Sequence, residues 1–346
     1  MSNIIDVLRN LSLTLGPPGF EDRVREFVYK EVKPHADEII IDTLGNLIVR
    51  KGDGKPIIML DAHMDEVGFI VKHIMENGFI KITNLGGINT LNVIGKNVVL
   101  MGRKGDITGI IGTIPPHMLK HADSQKTIPS IEDLFVDIGA SSEEEVRDMG
   151  IEKGTPLTFA PFFEEWSKHV IGKAFDDRIG CAIMVEVIKN IDVTKGSIYF
   201  VFSVQEEVGL RGATIASYRI KPDVAIALEG TIAMDVPNIP EENYITVVGK
   251  GPAIRVMDAT ILANRKLVDF LRRTAEKYDI PYQLQLSPHS GTDAGRIQLA
   301  REGVPVTAVS VPSRYIHSPL SLAYKEDIKY TVSLIENFLY EYSKQF

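Results

Sequence analysis

Residues 197–213, Ser-Ile-Tyr-Phe-Val-Phe-Ser-Val-Gln-Glu-Glu-Val-Gly-Leu-Arg-Gly-Ala, constrain the fold more than any other stretch of the chain. Residues 198–204 are apolar apart from Ser203 and rich in β-branched and aromatic side chains, the pattern of a strand covered on both faces. Glu206 and Glu207 come directly after it. Adjacent carboxylates at a strand's end repel each other and lose hydration unless a cation compensates, so their position points to a metal or to shifted pKa values. If Glu207 ligates a metal, Glu206 is left free to act as a base.

A chain of 346 residues is longer than one ordinary core supports, which predicts a large domain with a smaller one or an insertion. Apolar content of 44% and charged content of 24% are those of a water-soluble globular protein. The net charge of −8 and the lack of a basic run with interleaved aromatics argue against nucleic-acid binding. Cys181 lies at helical spacing with Met184, Val185 and Ile188, which predicts a core position and no disulfide framework. No apolar run approaches the roughly 18 residues of a membrane span, and the chain starts without a basic, then apolar, leader pattern. A cytoplasmic location is expected.

In order along the chain, residues 4–15 predict a helix stopped by Gly16-Pro17-Pro18-Gly19, and Val24, Phe27, Val28 and Val32 mark one face of a second helix. Residues 38–43 and 46–50 alternate around Leu44-Gly45 as a hairpin does. Residues 56–60 then read as a buried strand leading into Asp61-Ala62-His63-Met64-Asp65. From about 67 to 164 short apolar runs alternate with glycine turns, the texture of a separate β-rich domain with one helix near 142–149. After Trp166 the α/β texture returns: a helix beyond Asp176-Asp177, the 198–204 strand, a short helix, a strand at 224–228, helix 264–278, a strand at 304–311 and a last helix carrying Ile328, Val332, Ile335 and Phe338.

Four of these strands each end in a histidine or carboxylate: His63, Glu206 with Glu207, Glu229, and His317 in the loop after the last one. Open α/β sheets bind ligands at the carboxyl edge of their strands, so one common site is expected there, with Asp176 as its fifth member. Two imidazoles and three carboxylates suit zinc, cobalt or manganese. Five ligands exceed the needs of one tetrahedral ion with an open position, whereas two ions roughly 3.5 to 4 Å apart and bridged by a carboxylate use them all. His63-Met64-Asp65 then reads as a ligating imidazole giving its other N–H to a carboxylate.

The segments Ala62-His63-Met64-Asp65-Glu66-Val67-Gly68, Ala174-Phe175-Asp176-Asp177-Arg178, Gln205-Glu206-Glu207-Val208-Gly209-Leu210-Arg211-Gly212-Ala213 and Arg314-Tyr315-Ile316-His317-Ser318-Pro319 resemble the motifs of the tetrahedral (TET) aminopeptidases. The likeness covers essentially the whole chain, including Gly16-Pro17-Pro18-Gly19-Phe20-Glu21 and Pro115-Pro116-His117. The resemblance implies a three-layer α/β catalytic domain with a central mixed sheet (1–66 and 165–346), interrupted by a PDZ-like or β-barrel dimerisation domain (67–164), with dimers assembling into a dodecamer. It implies that His63 and Glu229 hold one zinc or cobalt ion, Glu207 and His317 the other, and that Asp176 bridges them. Glu206 is then the general base, Asp65 a further catalytic residue, and peptides with a free N-terminus the substrates. One departure stands out: the family position matched by Glu229 is commonly Asp.

Three other functions compete. A deacylase or carboxypeptidase shares the metal chemistry and differs in the substrate end it recognises. A glycoside hydrolase, as some relatives are named, needs two carboxylates flanking the sugar bond and no metal. A non-enzymatic assembly protein would tolerate loss of Glu206. His35, His73, His117, His121, His169 and His289 are expected at structural or surface positions; Asp293 reads either as a helix-start residue or as part of a substrate-pocket rim, and Pro252-Ala253-Ile254-Arg255 as another rim segment, both outside the catalytic set.

Overall fold

Alternation of side chains decides which way each strand faces, and the computed structural model follows that alternation through the residues it describes, 3–114, 129–193 and 195–344. Helices α1 (Ile4–Leu13) and α2 (Asp22–Val32) flank the Gly-Pro-Pro-Gly turn. Strands β1 (Glu38–Ile41) and β2 (Leu47–Asp53) form the expected antiparallel hairpin, and β3 (Ile57–His63) enters the centre of the large sheet. Strands β4 (Gly68–Ile74), β5 (Ile80–Leu85), β6 (Asn97–Gly102), β7 (Gly105–Gly112), β8 (Phe135–Asp137) and β9 (Pro156–Phe159) close into a barrel in the order β4-β5-β8-β7-β6-β9. The short helix α3 (Glu143–Asp148), capped by Ser142, gives Val146 to the barrel core. Pro115-Pro116-His117 and His121 lie outside the described residues.

Strands β10 (Phe163–Glu165) and β11 (His169–Gly172) return the chain to the large sheet. There follow α4 (Phe175–Asn190), β12 (Gly196–Ser203), α5 (Arg211–Ile220), β13 (Val224–Ile232), β14 (Ala253–Asp258), α6 (Arg265–Lys277), β15 (Gln283–Ser287), α7 (Ala294–Ile297), β16 (Val306–Arg314), β17 (Ser321–Tyr324) and α8 (Lys325–Ser343). Among the described residues the sheet has 11 strands, with β12, β3, β13 and β16 mutually parallel at its centre.

Even-numbered positions on β3 and β13, such as Leu60 and Leu228, join Phe200, Phe202 and helices α1, α2, α4, α6 and α8 in one core layer. Odd-numbered positions such as Met59, Val201, Ala225 and Ala227 pack against α5 and α7 on the other face. His63, Ser203 and Glu229 share the parity of this second set, so the period-2 pattern alone sends them to one side of the sheet. The register places Ser203 beside His63 and Glu229 beside Ser310.

The polar ends of β3 and β13 differ from expectation. The sequence pattern ends them at residues 60 and 228, yet β3 runs on through Asp61 to His63 and β13 through Glu229 to Ile232. Neighbouring strands still pair these backbones, so side-chain polarity does not end the strand. The stretch Pro252-Ala253-Ile254-Arg255, expected at a pocket rim, leads into β14, which pairs with β15 and β16.

Candidate metal centre

The site stands at the carboxyl edge of the four parallel strands, where His63 ends β3, Glu229 lies late in β13, and loops after β12 and β16 carry Glu206, Glu207 and His317. Asp176 comes from the first turn of α4, where the backbone is not helical (Asp176 φ −88°, ψ 106°). Ala174, Gln205 and His317 have left-handed backbone at φ 57° in each case. Such non-glycine residues cost about 1–3 kcal/mol each and persist only where surrounding contacts enforce them. The loops are therefore bent to aim particular side chains.

The centre of the arrangement is the Asp176 carboxylate. Its Oδ1 lies 3.5 Å from His63 Nε2 and its Oδ2 3.2 Å from His317 Nε2. Glu207 Oε1 is 3.2 Å from His317 Nε2, and Glu206 Oε2 is 3.9 Å from His63 Nε2. Ligand-type atoms fall into the overlapping groups His63–Asp176–Glu229, Asp176–Glu207–His317 and His63–Glu206–Glu207, each lying within 4.8 Å of one another. Each imidazole donates its Nδ1–H to a backbone carbonyl, His63 to Asp65 at 3.1 Å and His317 to Gly87 at 2.8 Å, which turns both Nε2 atoms toward the carboxylates. The expected partner of His63 was the Asp65 carboxylate. That carboxylate is 3.6 Å away and instead accepts the backbone N–H groups of Glu206 and Glu207, each at 3.0 Å.

Burial and crowding set the proton affinities. Burial pushes Glu207 up to about 7 against the opposing pull of His317, and pushes Glu206 and Glu229 well above the usual carboxylate range. Burial depresses the two imidazoles, yet the surrounding carboxylates outweigh it, so His63 stands well above its ordinary value and His317 rises to about 9. Asp176 is the exception: the hydrogen bond from His317 and the nearby His63 ring overcome burial and hold it below the usual range. Without cations the cluster retains protons in their place, the behaviour of a ligand set built around positive charge.

A cleft of about 640 Å³ opens over these groups, lined also by Leu210, Thr231, Arg255, Ser290 and Tyr315. The M42 glutamyl aminopeptidase family model matches residues 45–334. The chain belongs to the M42 aminopeptidase family. The lysyl aminopeptidase of Pyrococcus furiosus is 38% identical over 97% of this chain and 96% of its own length. The crystal structure of a TET aminopeptidase from a marine sediment Thaumarchaeota archaeon superposes with a TM-score of 0.94 at 37% identity, covering 97% of this chain and 95% of that one. The TET1 peptidase of Pyrococcus horikoshii, which can assemble into a tetrahedron or a large octahedral shell, superposes at 0.87 with 32% identity over 97% and 99% of the two chains. The protein is accordingly a peptide hydrolase, an aminopeptidase with the mixed α/β and barrel architecture of the TET peptidases.

Several supports of this M42 aminopeptidase site escape a reading of motifs. Asp177, joined to Asp176 by a cis peptide, accepts N–H groups from His63 at 3.1 Å, Gly180 at 2.9 Å and Gly230 at 3.1 Å, tying α4 to both ligand-bearing strands. Buried Glu66 meets Lys173 Nζ at 2.5 Å and Arg178, while Arg178 reaches the carbonyls of Thr14 and Gly16, so the N-terminal segment is fastened to the start of α4. The barrel also enters the site: Gly87 anchors His317, and a Cβ at Gly86 would stand 3.0 Å from Glu207 Oε2. Arg255, from the stretch expected at a pocket rim, lines the cleft and pairs with Asp258 at 2.9 Å, and His289, expected at a structural or surface position, lines it too. Asp293 is buried and accepts from Ser203 at 2.8 Å. The signal available in the sequence was the charged residue in an apolar run, Lys173 and Arg178 above all, but a lone charge does not name its partner.

Proposed function

We propose that this aminopeptidase works through two divalent ions, zinc or cobalt, with His63 and Glu229 holding one, Glu207 and His317 the other, and Asp176 shared between them. The observation that carries this reading is the Asp176 carboxylate, whose two oxygens each face the Nε2 of a different imidazole. The donor set also fits the ions chemically: nitrogen and carboxylate oxygen, with no thiolate, and Asp176 Oδ1 buried without a hydrogen bond of its own. Glu229 supports the same reading despite the Asp common at that position, because its longer side chain groups with His63 and Asp176. When bound, the ions supply Lewis-acid polarisation of the scissile carbonyl and acidify water.

Glu206, left outside the two groups that share Asp176, takes the proton of the attacking water and passes it to the leaving amine. Burial raises its proton affinity. Asp65 fixes where that carboxylate stands by gripping its backbone N–H. Peptides with a free N-terminus are the substrates. Residues 1–66 and 165–346 form the catalytic domain and 67–164 the dimerisation insert, with dimers assembling into a dodecamer; the assembling relative from Pyrococcus horikoshii supports this. No helix among the described residues is long and apolar enough to cross a membrane, which agrees with work on peptides in the cytoplasm.

The test is mass spectrometry of a mixed peptide pool, with and without chelator, beside the same pool N-acetylated. Ladders shortened from the N-terminus, lost on chelation and restored by zinc or cobalt, are expected. Equal cleavage of the acetylated pool would overturn the need for a free amine and turn attention to deacylase or endopeptidase chemistry.

A further inference from the structure

Resting on the reading of Glu206 as base, we infer that Glu21 is a positioning residue for the catalytic turn, acting with Asn46 and Asp65 as a polar cradle for four consecutive backbone N–H groups. Val204 N–H donates to Asn46 Oδ1 at 3.0 Å, Gln205 N–H to Glu21 Oε1 at 3.1 Å, and Glu206 and Glu207 N–H to the two oxygens of Asp65 at 3.0 Å each. β12 ends at Ser203, so no strand pairing accounts for these groups, and Gln205 adopts left-handed backbone. Buried N–H groups without acceptors are costly, which makes the side chains that receive them the determinants of where the turn sits.

The three acceptors come from three separate elements: the turn ahead of α2, the β1–β2 hairpin, and the β3–β4 junction. Each is itself fixed. Glu21 is 4% exposed and its Oε1 also accepts from Gly19 N–H at 2.8 Å. Gly19 has φ +84°, a conformation that points its N–H back at Glu21 and that a side chain would oppose. Asn46 is fully buried, and its amide donates to Asp42 Oδ2 at 2.7 Å and to Gly212 O at 3.0 Å, pinning the far end of the same loop. The Gly-Pro-Pro-Gly-Phe-Glu stretch thus serves the active site from a distance: it presents one carboxylate oxygen to the residue before the base. A shift of about 1 Å in a reacting group costs on the order of a hundredfold in rate, so loss of this grip is expected in turnover more than in binding.

The experiment compares wild-type, Glu21→Ala and Glu21→Gln by steady-state kinetics on a peptide substrate with metals supplied, and by amide hydrogen exchange followed in fragments covering 204–212 and β13. For Glu21→Ala the expected result is a fall in kcat of roughly ten- to a hundredfold with KM changed less than about threefold. Exchange should speed up in 204–212 while β13 stays protected. Glu21→Gln, whose amide oxygen accepts the same two N–H groups, should recover kcat to within about threefold of wild-type. The inference is overturned if Glu21→Ala keeps kcat within about twofold, if exchange at 204–212 does not change, or if exchange rises equally in β13, which would mark Glu21 as a general stability residue. The exchange measurement needs no turnover, so an inactive wild-type would sink the reading of Glu206 as base and still leave the cradle tested.

Discussion

The two oxygens of Asp176 turn scattered donors into one centre, and they do so because Asp176 stands where the backbone leaves α4's helical path. Its neighbours divide labour by reach. Glu207 faces His317, whereas Glu206, one residue earlier, lies near His63 at 3.9 Å, free of the pair that shares Asp176. At this scale the decisive variant is Glu206→Gln, which keeps size and hydrogen bonding and abolishes proton acceptance. Two metal equivalents by elemental analysis and a kcat lowered by about 10²- to 10⁴-fold are expected. Activity within tenfold of wild-type would assign the base elsewhere.

At the level of elements, the site is made by loops whose course is dictated by partners far away in sequence. The loop after β5 belongs to the barrel, yet its Gly87 carbonyl receives the Nδ1–H of His317, 230 residues onward. Gly86 beside it has φ +87°, and an added Cβ would meet Val67 Cγ1 at 2.9 Å as well as Glu207. Gly86→Ala should therefore displace Glu207 and loosen His317. The expected result is weaker binding of one metal ion out of two, by roughly tenfold in a cobalt titration followed by absorption, with the other equivalent little changed. Equal weakening of both would mean that the barrel loop acts on the whole fold and not on the Glu207–His317 half.

For the whole molecule, burial of so many titratable groups couples stability to pH and to metal. Glu207 has a folded value of about 7 against 4.5 in a model peptide, and His317 about 9 against 6.5. Both are raised, so the stability they contribute is fully present below the lower figure and is lost as pH climbs through the higher one. A chelated protein should lose melting temperature progressively between about pH 5 and 9 in calorimetry. The metal-loaded protein should be more stable by several degrees and nearly flat over the same window, because ions replace the missing protons and bind only the folded state. A chelated protein whose melting temperature rises from pH 6 to 8 would contradict this origin of the coupling.

What the sequence determined on its own follows from local periodicity. The both-faces-apolar runs before Glu206 and Glu229 name central strands, and the acids and histidines directly after such runs name the strand ends as the place of a site; each of these is decided within about ten residues. The helices α2, α6 and α8 were legible for the same reason, through one apolar face and a nearby stop. Only the tertiary structure decided how far β3 and β13 extend, since a neighbouring backbone keeps Asp61 and Glu229 in a strand that their side chains would not choose. It alone decided that Asp65 grips the Glu206–Glu207 turn instead of His63's ring, that Glu21 and Asn46 complete the grip, and that Gly87 of the barrel orients His317. A hydrogen bond between residues 141 to 230 positions apart leaves no period in the sequence; it exists only once the folded backbone has brought donor and acceptor together.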